Sequence, residues 1–199
     1  MSYTRTHLQE TAAILRLLDV DAVESMVAML AALKAAGSRI FFLGVGGGAA
    51  NSSHAVSDFR TLAGIEAYAA TDNVSEITAR INDDGWASTF VEWLKVSRLH
   101  ANDAVFVFSV GGGDVQRGVS PNVVAAVQYA RQIGAKVLAV VGRDGGYTAS
   151  VADAAVVVPT VNPATVTPHT EVFQGLIWHL LVTHPKLKVR EPKWESVKA

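Results

Sequence analysis

Three short apolar runs in this chain each stop at a cluster of glycines. Arg39-Ile40-Phe41-Phe42-Leu43 enters Gly44-Val45-Gly46-Gly47-Gly48. Ala104 to Phe108 ends in Ser109-Val110-Gly111-Gly112-Gly113, and Lys136 to Val141 ends in Gly142-Arg143-Asp144-Gly145-Gly146. An apolar run without alternation marks a strand covered on both faces, which is the habit of parallel sheets. Helical spacing follows at about 49–62 and 119–133, and again at 74–80, 86–99 and 171–183. Weaker strands are expected at 65–69 and at 154–158, the second stopped by Pro159. Strands alternating with helices predict an α/β fold, a parallel sheet flanked by helices on both faces.

The first 36 residues precede this pattern and predict a helical pair. Leu8, Ala12, Ile14, Leu15 and Leu18 recur at near-helical spacing, as do Val23, Met26, Val27, Met29, Leu30 and Leu33, and Gly37 offers a C-cap. Two apolar stripes exceed what a hairpin buries alone. They must pack on the following domain or on other subunits, since an exposed stripe of this size invites aggregation. We assign 1–36 to oligomerisation, 37–185 to the α/β core and 186–199 to a polar surface tail. No repeat or linker divides the chain, so its 199 residues are expected to form a single domain.

Composition narrows the function. The formal net charge is −1, so no broad basic field draws the chain to nucleic acid or to a membrane surface. There is no cysteine, hence no disulfide framework and no thiolate zinc site. Any metal must be held by histidine and carboxylate. No run approaches the roughly 20 apolar residues of a membrane span, and the N-terminus lacks the apolar core of a signal peptide. A soluble, cytoplasmic protein is expected.

The glycine turns suggest how such a chain could hold an anion. Ligands of open α/β sheets sit beyond the carboxyl ends of the strands. Bare amides there, next to a helix N-terminus, favour phosphate without a basic patch. Ser109, Gly111, Gly112, Gly113 and Ser120 are the expected phosphate binders, with Ser120 also placed to cap the helix begun by Pro121. Gly46, Gly47 and Gly48 line the first turn. No lysine follows them, so this is not a P-loop. The turn only loosely matches a dinucleotide fingerprint, although Glu66 lies about 20 residues on. No nucleotide cofactor is expected.

Two spaced pairs could carry chemistry. His54 and Asp58 share a helix face at i, i+4. Glu171 and His179 are eight apart, slightly over two turns, and share one too. Two histidines and two carboxylates suit zinc or a similar divalent ion. Without metal, the same groups supply the base and the acid that ketose–aldose exchange requires. His169, directly after Pro168, is weighted toward a structural role.

At these residues the chain resembles the SIS-domain phosphoheptose isomerases. The resemblance rests on FFLGVGGGAANSSHAVSDF, ATDNVSEITARINDDGW, FVFSVGGGD, GAKVLAVVGRDGG and TPHTEVFQGLIWHLL, in that order. It implies a flavodoxin-like sheet, a homotetramer held by the N-terminal helices, and active sites at subunit interfaces. It implies conversion of sedoheptulose 7-phosphate to D-glycero-D-manno-heptose 7-phosphate through an enediol. It further implies Asp58, Glu171 and His179 as catalytic residues, and His54, Asp58, Glu171 and His179 as the zinc set. Gly46, Gly47, Gly48, Asn51 and Asp72 would meet substrate, with Asn82 to Asp84 near the sugar hydroxyls. Some SIS-domain relatives are non-catalytic regulators, among them a tetrameric binder of a bacterial replication initiator, and this is the alternative reading. The chain departs from the family pattern at Val45 (asparagine), Asp58 (glutamate) and Glu171 (glutamine), and in the glycines and added residues 114–119 of the second turn.

Overall fold

The computed structural model describes residues 2–197. Its strands are β1 Ile40–Gly44, β2 Ala67–Ala69, β3 Ala104–Ser109, β4 Lys136–Val141 and β5 Ala154–Val157. They form one sheet in the order β2-β1-β3-β4-β5, with every neighbouring pair parallel. This is the flavodoxin-like order. Gly44 pairs with Phe108 and Ser109 with Val141, so the glycine turns leave the sheet at nearly one level.

Alternate residues of each strand face opposite layers. Ile40, Phe42, Phe106, Phe108, Leu138 and Val140 point to one core, and Phe41, Leu43, Val105, Val107, Val137 and Val141 to the other. The first layer is covered by α2 Val20–Ala35, α3 Gly47–Thr61 and α8 Val166–Thr183, the second mainly by α5 Thr89–Val96 and α6 Pro121–Gln132. The remaining helices are α1 Tyr3–Leu17, α4 Val74–Asp84, α7 Gly146–Val151 and α9 Lys193–Ser196, with a 3-10 turn at Pro163–Thr165. Asp19 caps α2 by accepting from the Ala22 N–H at 3.0 Å, and Asn73 caps α4 by accepting from Ser75 and Glu76.

Several elements differ from the sequence expectation. Helix α8 begins at Val166 rather than Glu171. Pro168 lies in its first turn, where a missing N–H costs nothing. Helix α5 is shorter than 86–99, because Gly85 and the bend after it occupy the first part. Ser120 adopts φ 51° and its hydroxyl caps nothing, so the expected N-cap is replaced by a left-handed turn.

The two N-terminal helices behave differently. Met26, Val27 and Leu30 of α2 are fully buried in this chain's own core. Helix α1 leaves Leu8, Leu15 and Leu17 exposed. It is pinned at Glu10, whose carboxylate meets His169 Nε2 at 3.0 Å and accepts from Asn162 and Thr165. These contacts hold the Glu10 carboxyl at about 2, well below its ordinary 4.5, the His169 hydrogen bond contributing most. His169, stacked on His7 with centroids 4.2 Å apart, is thus a buried anchor. Beyond residue 185 the chain is not merely a surface tail. Leu187 is fully buried, its carbonyl accepts from Lys34 Nζ at 2.8 Å, and the Val189 N–H donates to Leu62.

Candidate active site

Helices α3 and α8 run side by side, and the residues between them form a graded series. Near the sheet, a methyl group added at Gly47 would overlap the Glu171 carboxylate, so only glycine admits that side chain over the first turn. One turn further, the Asn51 amide donates to the Glu171 carbonyl at 3.0 Å and to Gln174 Oε1 at 2.8 Å. Gln174, fully buried, also donates to the Val140 carbonyl on β4. Further along, Trp178 Nε1 donates to Asp58 Oδ2 at 3.1 Å.

At that far end two imidazoles converge on the same carboxylate oxygen. His54 Nε2 lies 3.6 Å and His179 Nε2 3.5 Å from Asp58 Oδ2. The ligand atoms of His54, Asp58 and His179 all lie within 4.8 Å of one another. His179 Nδ1 sits 2.7 Å from the Gly175 carbonyl. A carbonyl only accepts, so Nδ1 carries a proton, and Nε2, which bears the lone pair in the Nδ1–H tautomer, faces Asp58. A lone pair and a carboxylate turned toward each other call for a cation, a proton or a metal, between them. The backbone bond to the far ring nitrogen is the usual outer partner of a metal-binding histidine. The donor set therefore fits a divalent ion of the zinc type. Both imidazoles are about half exposed, at 58% for His54 and 51% for His179.

A cleft of about 290 Å³ opens where the chain leaves β1 toward one edge of the sheet and β3 toward the other. Val45, Gly48, Ser109, Gly111, Ser120 and Arg143 are among the residues that line it. Such a switch point is the expected ligand position of this topology. Ser109 Oγ accepts from the Gly112 N–H at 3.0 Å, which leaves its own proton to donate. The Ser120 hydroxyl is likewise not used by its helix.

Comparison with known proteins places this geometry. The SIS domain family matches residues 6–142. The chain is 32% identical to the phosphoheptose isomerase of Chlorobaculum parvum over 171 residues, 82% of this chain and 77% of that one. The chain belongs to the SIS-domain phosphoheptose isomerase family. By family it is an enzyme of the sugar-phosphate isomerase class. It is also 29% identical to the lincomycin biosynthesis protein LmbN of Streptomyces lincolnensis, covering 91% of this chain and 68% of that one. The structure of the Neisseria gonorrhoeae phosphoheptose isomerase superposes with a TM-score of 0.78 at 24% identity, over 90% of this chain and 95% of that one, and shows the common fold.

Within this member of the family, the four expected metal ligands do not form one group in a single chain. His54, Asp58 and His179 converge, whereas Glu171 stands over Gly47. Eight residues separate Glu171 from His179, about 12 Å along the helix, so helix pitch keeps the two carboxylates apart. The second turn is also only partly open. Gly112 and Gly113 are buried, and their carbonyls accept from the Thr148 and Tyr147 N–H groups at 2.9 Å each. The start of α7, after the third glycine turn, thus supports the backbone of the second, while Arg143 of the third turn lines the cleft. Gly111 lines the cleft. Asp72, outside the cluster, accepts from the Ser53 hydroxyl. Gly46, at φ 59°, starts the turn into α3.

Trp178 and Gln174 escaped the sequence reading. Both sit in an apolar helical stretch where they pass for core, and only the partner helix shows what their polar atoms hold.

Proposed function

We propose that the chain isomerises sedoheptulose 7-phosphate to D-glycero-D-manno-heptose 7-phosphate. The observation that carries this reading is the convergence of His54, His179 and Asp58 on facing helices, in a chain that also opens a glycine-lined cleft at the switch point. Ketose–aldose exchange moves a proton between neighbouring carbons through an enediol and needs a proton carrier at oxygen as well. Asp58 is the carboxylate base of this reading. His179, with its Nε2 lone pair exposed to the site, carries the second proton. Ser109 and Ser120 offer hydroxyls to the phosphate, and Gly46 to Gly48 give the substrate backbone access. The roles of Asp58 and His179 are those without metal; were zinc bound, His54, Asp58 and His179 would hold it, its Lewis acidity would polarise the substrate carbonyl in place of the His179 proton, and Glu171 would be the carboxylate left to act as base.

The exposure of the imidazoles supports a site completed by another subunit. Val172, Leu176 and Leu180 form an exposed apolar stripe on α8 at i, i+4, i+8, and Leu8 and Leu15 form another on α1. Burying both in a homotetramer would cover these stripes. It would also allow Glu171 and the cleft of one chain to face the His54–Asp58–His179 cluster of another. In this reading 1–36 divides its work, α2 serving the core and α1 the assembly. A cytoplasmic location accords with a sugar-phosphate substrate, and among the described residues no helix is long and apolar enough to cross a membrane.

The test is incubation with sedoheptulose 7-phosphate, with and without zinc, followed by product analysis. Formation of the aldose phosphate by wild type, with Asp58→Asn and His179→Ala each at least about 10²-fold slower, is expected. Full turnover in either folded variant refutes the assigned role.

A further inference from the structure

The cleft at the switch point poses an electrostatic problem. A phosphate would bring close to two negative charges into it at neutral pH. The lining residues Val45, Gly48, Phe108, Ser109, Val110, Gly111, Val119 and Ser120 are all uncharged. The second turn has glycines at 111–113, which bring no side-chain donor to an anion. The Gly112 N–H is already committed to Ser109, and α6 begins with Pro121, which has no N–H. The whole chain carries a net charge of −1, so no general field compensates.

One lining residue is a cation, Arg143. It occupies the third glycine turn at φ 54°, a left-handed conformation that L side chains seldom adopt. The turn is fixed from behind, since the Gly142 N–H donates to the Val110 carbonyl at 3.0 Å and a side chain at Gly142 would overlap Thr170. The Arg143 side chain extends toward the second turn, its Cδ 3.6 Å from where a Gly111 Cβ would stand. The guanidiniums of Arg39, Arg60, Arg80 and Arg131 are bound to protein acceptors. That of Arg143 has no such partner among the described residues, and the neighbouring Asp144 carboxylate accepts from the Gly146 N–H. A position that suits glycine therefore carries an uncommitted guanidinium at the rim of an anion-sized, neutral cleft. Strained backbone concentrates where function requires it.

We propose that Arg143 is a specificity-determining residue that binds the substrate phosphate, its planar fork supplying the positive charge that the glycine-rich second turn does not offer. This inference rests on the sugar-phosphate reading and assigns that site its cation.

The test measures KM and kcat for sedoheptulose 7-phosphate, competitive inhibition by inorganic phosphate, and direct calorimetric binding of inorganic phosphate. The proteins are wild type, Arg143→Gly, Arg143→Lys and, as a control for loss of any nearby positive charge, Arg117→Ala. Arg143→Gly suits the left-handed backbone, so it should melt close to wild type. It should raise KM and weaken phosphate binding about 10- to 100-fold, the size of a lost charge-assisted contact, with kcat within about threefold. Arg143→Lys should recover part of the loss, and Arg117→Ala should match wild type. Phosphate affinity and KM within twofold of wild type in Arg143→Gly, or an equal loss in Arg117→Ala, would overturn the assignment. The calorimetric arm separates the two claims. Wild type that binds phosphate through Arg143 without isomerising the ketose would sink the substrate reading alone, and wild type that binds no phosphate would sink the Arg143 role.

Discussion

The indole N–H of Trp178 points at the same carboxylate oxygen of Asp58 that His54 and His179 approach. A carboxylate on α3 is thus oriented by a side chain of α8, that of the residue immediately before His179. Asp58 has a short side chain with one methylene, so its reach is limited and its orientation matters. The indole N–H gives that carboxylate oxygen a fixed hydrogen-bond partner on the neighbouring helix.

Trp178→Phe keeps most of the ring's packing and removes that donor. Turnover should fall about tenfold, less than the 10²-fold or more expected for removing an acid–base group. The melting temperature should change little. Steady-state kinetics alongside thermal unfolding check this, and unchanged turnover would show that the indole does not position Asp58.

A divalent ion held by His54, Asp58 and His179 would bind the native chain and stabilise it by mass action. Zinc added to chelator-treated protein should raise the melting temperature in a concentration-dependent way. The rise should be lost in His54→Ala and in His179→Ala. An equal rise in both variants would place the ion elsewhere.

Gly47 is the point where α3 touches Glu171. A methyl there must displace the carboxylate, which is the far end of a flexible side chain and can swing aside, so the cost should stay below about 1 kcal/mol. Gly47→Ala should therefore melt close to wild type while shifting Glu171. Adding Glu171→Ala should remove what cost remains, which denaturant titration of the double mutant would read as non-additivity.

Glu10 makes the fold sensitive to acid. Its carboxyl is held at about 2, against an ordinary 4.5, chiefly by the His169 hydrogen bond and then by Asn162 and Thr165. The folded state favours the ionised form. The stabilisation is complete above the unfolded value and is lost as pH falls from about 4.5 toward 2. Glu10→Gln lacks this component. The melting-temperature gap between wild type and Glu10→Gln should be widest above pH 5 and close as the solution is acidified. A gap that does not vary with pH would show that the Glu10 charge is immaterial.

Much of the architecture was legible in the residues. Lys136–Val141 is a strand at the predicted bounds, and β1 and β3 fall within a residue of theirs, because uninterrupted apolar runs closed by glycine leave little choice. The start of α8 was not legible, since Pro168 signals a boundary in sequence yet fits a first turn equally well in space. For the site, i, i+4 spacing already put His54 and Asp58 on one face. The same kind of spacing misled for Glu171 and His179, which share a face but not a depth.

What the order of residues determined by itself was local: where strands stop, which turns need glycine, and which polar groups share a helix. Those are consequences of backbone sterics and helix pitch, which act over a few residues. The tertiary structure decided which of these groups meet. Packing α3 against α8 aligned Gly47 with Glu171 and Asp58 with Trp178 and His179, and packing the third glycine turn behind the second turned Gly112 inward and left Arg143 at the cleft. Such encounters depend on the axial offset of elements more than a hundred residues apart in sequence, and that offset is set by the sheet and core between them.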